Sequence, residues 1–173
     1  MPDDPKGPIY DAQVRQAWTR QKLSDGTMLN LGNVDREQFF AVTLTGTVAV
    51  NETQSGWQRC SDGSERRYTI TKLTAFGANP GGHTHPIGRM SDIVADIPGP
   101  EDGRMATLTK QTAYVISRRR AFAIEQSAPG FFTTRLIAGA KFSKSEQATV
   151  ARQQVRWSQH GGGSGVQCQF VPD

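Results

Sequence analysis

The chain has few cysteines, few histidines and no long apolar run. Its 173 residues include two cysteines, Cys60 and Cys168, which are too far apart for the CxxC spacing of a zinc ribbon. They are compatible with a disulfide in an oxidising compartment or with two buried thiols. No apolar stretch reaches the roughly 18 residues of a membrane-spanning helix, and residues 1–5 lack a signal-peptide pattern. We therefore expect no membrane partner and a location that is cytoplasmic or exported without a classical signal peptide.

A strong excess of one charge is also absent. The 20 Lys and Arg residues exceed the 16 Asp and Glu residues by only four, which does not predict a nucleic-acid partner. The one dense basic run is Arg118-Arg119-Arg120, where two strand patterns meet. We expect it to form a hairpin turn on the surface, with a contact to a phosphate or an acidic partner as the alternative. The composition leaves the oligomeric state open.

No internal repeat divides the chain, and its length suits one domain over residues 1–173. We place the core at about residues 10–157, followed by a Gly-rich linker at 161–165 and a C-terminal tail.

The hydrophobic pattern predicts an α+β fold. Residues 9–23 repeat apolar side chains at helical spacing, and Ser143-Lys144-Ser145-Glu146 has the form of a capping box that opens a second helix to about residue 157. Segments rich in β-branched and aromatic residues predict strands; they are 37–50 (bent at Gly46), 66–76, 113–117, 121–125, 131–137 and 166–170. Such an order favours a mixed, mostly antiparallel sheet flanked by helices.

Two of the three histidines stand in the run Gly81-Gly82-His83-Thr84-His85-Pro86. In an extended segment, residues two apart point to the same side, so both imidazoles can reach one metal ion. Pro86 then ends the strand, because it has no N–H to donate. A catalytic zinc site uses three protein ligands and leaves a fourth position for water. The pair therefore predicts a metal site that needs a third ligand.

Asp102 is the favoured third ligand. Gly99-Pro100-Glu101-Asp102 has the residues of a helix start, and a helix N-terminus stabilises an ionised carboxylate. Asp92 and Asp96, in the polar insertion 87–97, are rival ligands. We expect that insertion to form a mobile flap over the site or, alternatively, a packed surface loop.

These residues resemble the JAMM (JAB/MPN-type) zinc metalloproteases, and in particular their prokaryotic JAB-like, Rhs-associated branch. The family signature is an upstream glutamate, then H-x-H-P, then S-x-x-D at a helix start. His83-Thr84-His85-Pro86 matches the middle element completely. The resemblance covers about residues 10–125 and implies a single JAB/MPN-like domain.

The resemblance also implies a zinc cofactor and roles for particular residues. His83, His85 and Asp102 would bind the zinc, and Glu37 would be the base that activates water, with Glu52 as the alternative base. The family serine falls on Gly99 here, after an unusually long gap from Pro86. Ser91 or a backbone N–H at Gly99 would then replace it in holding the oxyanion.

Three functions follow as hypotheses. The first is a zinc-dependent peptidase or isopeptidase that acts on a protein or peptide and belongs to a bacterial effector; its natural substrate could be an isopeptide, a linear peptide or a peptidoglycan stem. The second is a catalytically silent JAMM-like binding module or effector-associated domain. The third is a cupin-like metal site on an all-β barrel, which the helices predicted at 9–23 and at Pro100 disfavour.

Overall fold

Two β-sheets and a covering helix form the fold. The computed structural model describes residues 8–32, 34, 36–87, 96, 106, 111–128, 131–151 and 168–173. The helix α1 spans Pro8–Arg20, and the strands are β1 Phe39–Val42, β2 Thr47–Val50, β3 Thr53–Cys60, β4 Glu65–Thr71, β5 Gly81–His85, β6 Ala113–Ser117, β7 Arg120–Ala128, β8 Phe131–Gly139 and β9 Cys168–Pro172. Residues 144–151 are also helical.

The larger sheet has six strands in the order β2-β1-β5-β6-β7-β8. β5 and β6 run parallel, and the other neighbouring strands in this sheet pair antiparallel. The sheet is thus mixed and mostly antiparallel, as the sequence predicted, and the α+β class is confirmed. Because β5 lies between β1 and β6, the two histidines are carried by a central strand.

Helix α1 covers one face of this sheet. Val14 and Ala17 are fully or almost fully buried against a cluster that includes Phe40 and Tyr114. The helix ends three residues before the predicted Leu23. Gln21 adopts a positive φ of 53°, and the N–H groups of Gln21 and Lys22 donate to the carbonyls of Trp18 and Ala17. This pattern is a Schellman motif. No glycine occupies its left-handed position, so the residue pattern did not reveal that the helix ends at Arg20.

The opposite face carries two further apolar clusters. One contains Val115, Phe122 and Ile124, and the other contains Phe39 and Phe76. Strand alternation places Phe39, His83 and Val115 on this face, because they are paired across β1, β5 and β6. The candidate site therefore lies on the side of the sheet away from α1.

The smaller sheet has the order β4-β3-β9, with both pairs antiparallel. Cys60 is disulfide-bonded and stands opposite Cys168, the only other cysteine, in the β3–β9 register. Arg67 also forms two hydrogen bonds with the Asp173 carboxylate, at 2.7 and 2.9 Å. The sequence did not decide between a disulfide and two thiols. The disulfide thus holds β9 on β3, a strand that the sequence did not predict.

Most of the other element predictions are confirmed. The hairpin bent near Gly46 is β1–β2, the hairpin predicted at 113–125 is β6–β7, and β8 extends the strand predicted at 131–137. The capping box is confirmed as well. The N–H of Ser143 donates to Glu146 at 3.0 Å, and the N–H of Glu146 donates to the Ser143 hydroxyl at 3.2 Å.

One strand was missed, and two further predictions are wrong in part. β3 was missed because its polar sequence does not alternate clearly. The strand predicted at 66–76 stops at Thr71, and Leu73–Phe76 forms a 3₁₀ turn that ends at Gly77 with φ of 63°. The arginine run does form a turn, with Arg118 and Arg119 exposed, but Arg120 is only 1% exposed. Of the helix predicted from Gly99, Ala106 is described and is helical. The rest of that helix, the linker at 161–165 and nearly all of the proposed flap lie outside the described residues.

Candidate metal centre

His83 and His85 point to the same face of β5, as their spacing predicts. Their Nε2 atoms are 3.1 Å apart. His83 is 3% exposed, whereas His85 is half-buried nearer the end of the strand. Of the two imidazoles, His85 is therefore the one that a solvent molecule or a substrate would reach first.

Two glycines allow this strand to pass close to its neighbours. A Cβ on Gly82 would lie 2.4 Å from two atoms of the Phe40 ring, and a Cβ on Gly81 would lie 3.0 Å from the Phe76 ring. Two aromatic rings therefore pack directly on the backbone of β5, one on each face. This close packing fixes the strand that presents the histidines.

Glu37 reaches the same place through strand pairing. Phe39 pairs with His83 in the β1–β5 ladder. Beyond it, the Thr84 N–H donates to the Gln38 carbonyl at 2.9 Å, and the Gln38 N–H donates to the Thr84 hydroxyl at 2.8 Å. The extended pairing puts Glu37 opposite His85, so both side chains share a face. The ligand atoms of Glu37, His83 and His85 lie within 4.8 Å of one another.

This donor set fits a divalent transition metal. Two nitrogen ligands at a zinc–nitrogen distance of 2.0–2.1 Å in tetrahedral geometry are about 3.4 Å apart. The observed 3.1 Å between the two imidazole nitrogens is close to that value. Imidazole and carboxylate groups are ligands that zinc and related ions accept. His83 and His85 can therefore chelate one ion, with Glu37 as a further ligand or one water molecule away.

Aromatic rings form much of the wall around the two imidazoles. The Phe39 ring centre is 5.9 Å from that of His83, and the Phe122 ring centre is 6.4 Å from that of His85. Such apolar walls lower the local polarity and strengthen electrostatic interactions within the site. A pocket of about 170 Å³ opens beside Glu37. Its lining is Leu23, Thr27, Arg36, Glu37, Gln38, Phe39, Ala49, Val50, Asn51 and Thr53.

Two of the other predicted site residues, Asp96 and Glu52, are described, and neither joins the histidines. Asp102, Ser91 and Asp92 lie outside the described residues. The rival ligand Asp96 has both carboxylate oxygens engaged elsewhere, one by Ser117 and one by Arg120. The alternative base Glu52 is exposed before β3, where its carbonyl accepts a hydrogen bond from Thr71. Among the described carboxylates, the predicted base Glu37 is the one that joins the histidine pair.

Sequence reasoning missed the buried charges next to this site. Arg120, Asp96 and Glu146 come from three distant segments and form ion pairs of 2.8 Å. Burial opposes ionisation of Glu146, but hydrogen bonds from Ser143 and the ion pair with Arg120 lower its pKa overall. Only the capping box offered a signal in the sequence, and it did not reveal the second partner of Glu146.

Within the described ranges, no helix is both long and apolar enough to cross a bilayer. Comparisons with models of known protein families, with curated proteins and with solved structures find no match for this chain.

Proposed function

We propose that this protein is a zinc-dependent peptidase or isopeptidase that hydrolyses an amide bond in a protein or peptide. One observation carries the proposal: Glu37, which is far in sequence from the two histidines, has its ligand atom within 4.8 Å of those of His83 and His85. A base beside a pair of imidazoles is an arrangement that supports metal-assisted hydrolysis. The resemblance of His83-Thr84-His85-Pro86 to the JAMM signature supports the same chemistry.

His83 and His85 would hold the ion, and Asp102, six residues after Asp96, would be the third ligand implied by the resemblance. When bound, zinc lowers the pKa of a coordinated water and polarises the scissile carbonyl. The half-buried Glu37 carboxylate would take a proton from the attacking water and return it to the leaving amine.

Stabilisation of the oxyanion is assigned by the resemblance alone. The family serine is replaced by Gly99, so we assign its role to Ser91 or to the backbone N–H at Gly99. A preorganised donor of this kind contributes about 3 kcal/mol to transition-state stabilisation in other hydrolases. Ser91→Ala is therefore the variant that separates the two donors, since it leaves the backbone N–H in place.

A second candidate function is a silent binding module on the same scaffold. The Nε2–Nε2 distance of 3.1 Å also suits a direct N–H···N hydrogen bond between two neutral imidazoles. In that arrangement the histidine pair needs no metal, and Glu37 is an ordinary polar group beside it.

The disulfide favours one of the two expected locations. Disulfides persist in oxidising compartments and are rare in the cytoplasm. The bonded Cys60 is therefore consistent with an exported protein. Thiol titration of the protein isolated from its native cells tests this assignment, and two free thiols would contradict it.

Metal analysis and zinc titration test the proposed function. We expect one zinc per chain in the wild-type protein and none in His83→Ala/His85→Ala, while circular dichroism shows that the fold is kept. His160→Ala is the matched control, because it removes the third histidine of the chain and should keep the zinc. Stoichiometric zinc in the double variant would refute the site, and a metal-free wild type would favour the binding module.

A further inference from the structure

A buried charge network lies on the same face of the sheet as the candidate metal centre. Arg120 and Asp96 are each 1% exposed. The Arg120 guanidinium donates to Asp96 at 2.8 Å and pairs with Glu146 at 2.8 Å. The exposed Arg119 lies 3.6 Å from Asp96, so two cations balance two carboxylates. The network thereby ties the β6–β7 turn to the β5–β6 connection and to the start of the C-terminal helix.

This network reaches the metal centre through β6. Ser117 is paired with His85 in the parallel β5–β6 ladder. Its hydroxyl donates a short hydrogen bond of 2.5 Å to Asp96 and accepts the Arg120 N–H at 3.2 Å. Asp96 and Arg120 thus hold Ser117, the residue paired with His85 on the neighbouring strand.

A row of aromatic rings makes a second connection. The Arg120 guanidinium carbon lies 4.6 Å from the Phe142 ring centre, which is cation–π distance. Phe142 packs edge-on against Phe122 at 6.2 Å, and Phe122 packs edge-on against His85 at 6.4 Å. Arg120 therefore supports Phe142, which supports Phe122. Phe122 in turn packs against His85, the more accessible of the two histidines.

Stability alone gives a weak reason for such a network. Buried ion pairs are often replaceable by apolar side chains of similar volume without loss of stability, because desolvation offsets their attraction. What the charges fix is geometry, since Arg120 can satisfy its carboxylate and carbonyl acceptors only in one orientation. Residues behind a metal ligand typically tune metal affinity by holding the ligand in place.

We propose that Arg120 is a positioning residue of the metal centre, which holds Phe142 and Phe122 against His85 and so sets the affinity for the ion. The inference rests on the proposed metal-binding function of His83 and His85. It adds a residue to that site which touches neither the ion nor a substrate.

The fold contains a matched control for this proposal. Arg135 also lies between two carboxylates, Glu125 at 2.7 Å and Asp11, to which it is hydrogen-bonded. Asp11 belongs to α1, so this second network lies on the opposite face of the sheet. Removing Arg135, which is 40% exposed, disturbs a less buried ion network of the same kind without touching the aromatic row.

The test compares Arg120→Met, Phe142→Leu and Arg135→Met by calorimetric titration with zinc and by visible spectra of the cobalt(II)-loaded proteins. We expect the first two variants to bind zinc about tenfold more weakly and to shift the cobalt bands. Arg135→Met should keep both properties within about twofold even where it lowers the unfolding temperature. Phe142→Leu keeps every charge, so it tests the aromatic link even if Arg120→Met fails to fold.

The outcomes separate this inference from the proposed function. If the wild-type protein binds zinc but Phe142→Leu and Arg135→Met bind it equally well, the positioning role is refuted and the metal centre stands. If the wild-type protein binds no zinc, the metal centre is refuted and the positioning role with it. Equal weakening in Arg120→Met and Arg135→Met would also refute the positioning role, since general loss of stability would then explain the effect.

Discussion

Glu37 lies before the first residue of β1, where its carboxylate shares a sheet face with His85 through strand pairing. A general base acts in the chemical step, whereas the histidines act in binding. Glu37→Gln should therefore keep the zinc and the fold but lower peptidase activity about a hundredfold or more. Activity is measured on a peptide or isopeptide library, and zinc content by elemental analysis.

Glu52→Gln is the matched control for this substitution. Glu52 is exposed and outside the histidine group, so its substitution should leave activity unchanged. Full activity in Glu37→Gln would show that Glu37 is not the base. A large loss of activity in Glu52→Gln would assign that role to Glu52 instead.

A second prediction concerns Glu146 and the pH dependence of the free energy of unfolding. Its pKa is lowered from an ordinary value of 4.5 in the folded protein. A group whose folded pKa is depressed contributes stability above its unfolded pKa and loses it as the pH falls through the folded pKa. Glu146→Gln should therefore cost about 3 kcal/mol at pH 7, because it leaves Arg120 short of a buried partner. The difference from the wild type should shrink as the pH falls below 4.5.

Urea unfolding at pH 7 and at acidic pH measures this difference. Glu65→Gln is the control, because the ion pair of Glu65 with Arg59 is about half exposed. It should change stability by no more than about 0.5 kcal/mol at either pH. A cost of Glu146→Gln that stays constant across this pH range would contradict the role of its ionised form.

At the scale of elements, β5 depends on the glycines that precede its histidines. Gly82→Ala would place a Cβ 2.4 Å from the Phe40 ring and 3.1 Å from the Tyr114 carbonyl oxygen. Because Phe40 is fully buried, the clash should move β5 and cost about 1–3 kcal/mol. We also expect weaker zinc binding, since His83 follows directly on the strand.

Gly32→Ala is the control for this overpacking. Its Cβ would meet nothing nearer than the Asn30 side-chain oxygen at 3.8 Å. Unfolding in urea and zinc titration of both variants make the comparison. Equal stability and affinity in Gly82→Ala and Gly32→Ala would show that β5 tolerates a side chain there.

At the scale of the whole molecule, the disulfide and the metal centre belong to different sheets. The described strands of the smaller sheet make few contacts with those of the larger one. Distant sites that share no partners contribute nearly additively to stability. Removing the disulfide in Cys60→Ser/Cys168→Ser should cost about 2–5 kcal/mol. Zinc at about a hundred times its dissociation constant should add about 2.7 kcal/mol.

The two effects should add within about 0.5 kcal/mol when unfolding is followed with and without zinc in both proteins. Zinc affinity should be the same in the wild type and in the double serine variant. A zinc affinity that falls with loss of the disulfide would show that the two sheets are coupled.

The sequence by itself determined the features that depend on local periodicity and local hydrogen bonding. Helix α1, the capping box of Ser143 and Glu146, the hairpin of β6 and β7, and the shared face of His83 and His85 each follow from spacings of two to four residues. Such spacings are set by backbone geometry, which is the same in every protein. Glu37 was selected by a resemblance, and the strand register brought it to the histidines.

Only the tertiary structure decided which distant segments meet. The β3–β9 pairing, the bond at Cys60 and the burial of Arg120 between Asp96 and Glu146 join residues far apart in the chain. A strand pattern specifies which side chains face the core but not which strand lies beside it. An arginine in a turn sequence is expected at the surface unless carboxylates from elsewhere compensate its burial. The packing of the whole chain determines which residues become those partners, so the local sequence does not predict them.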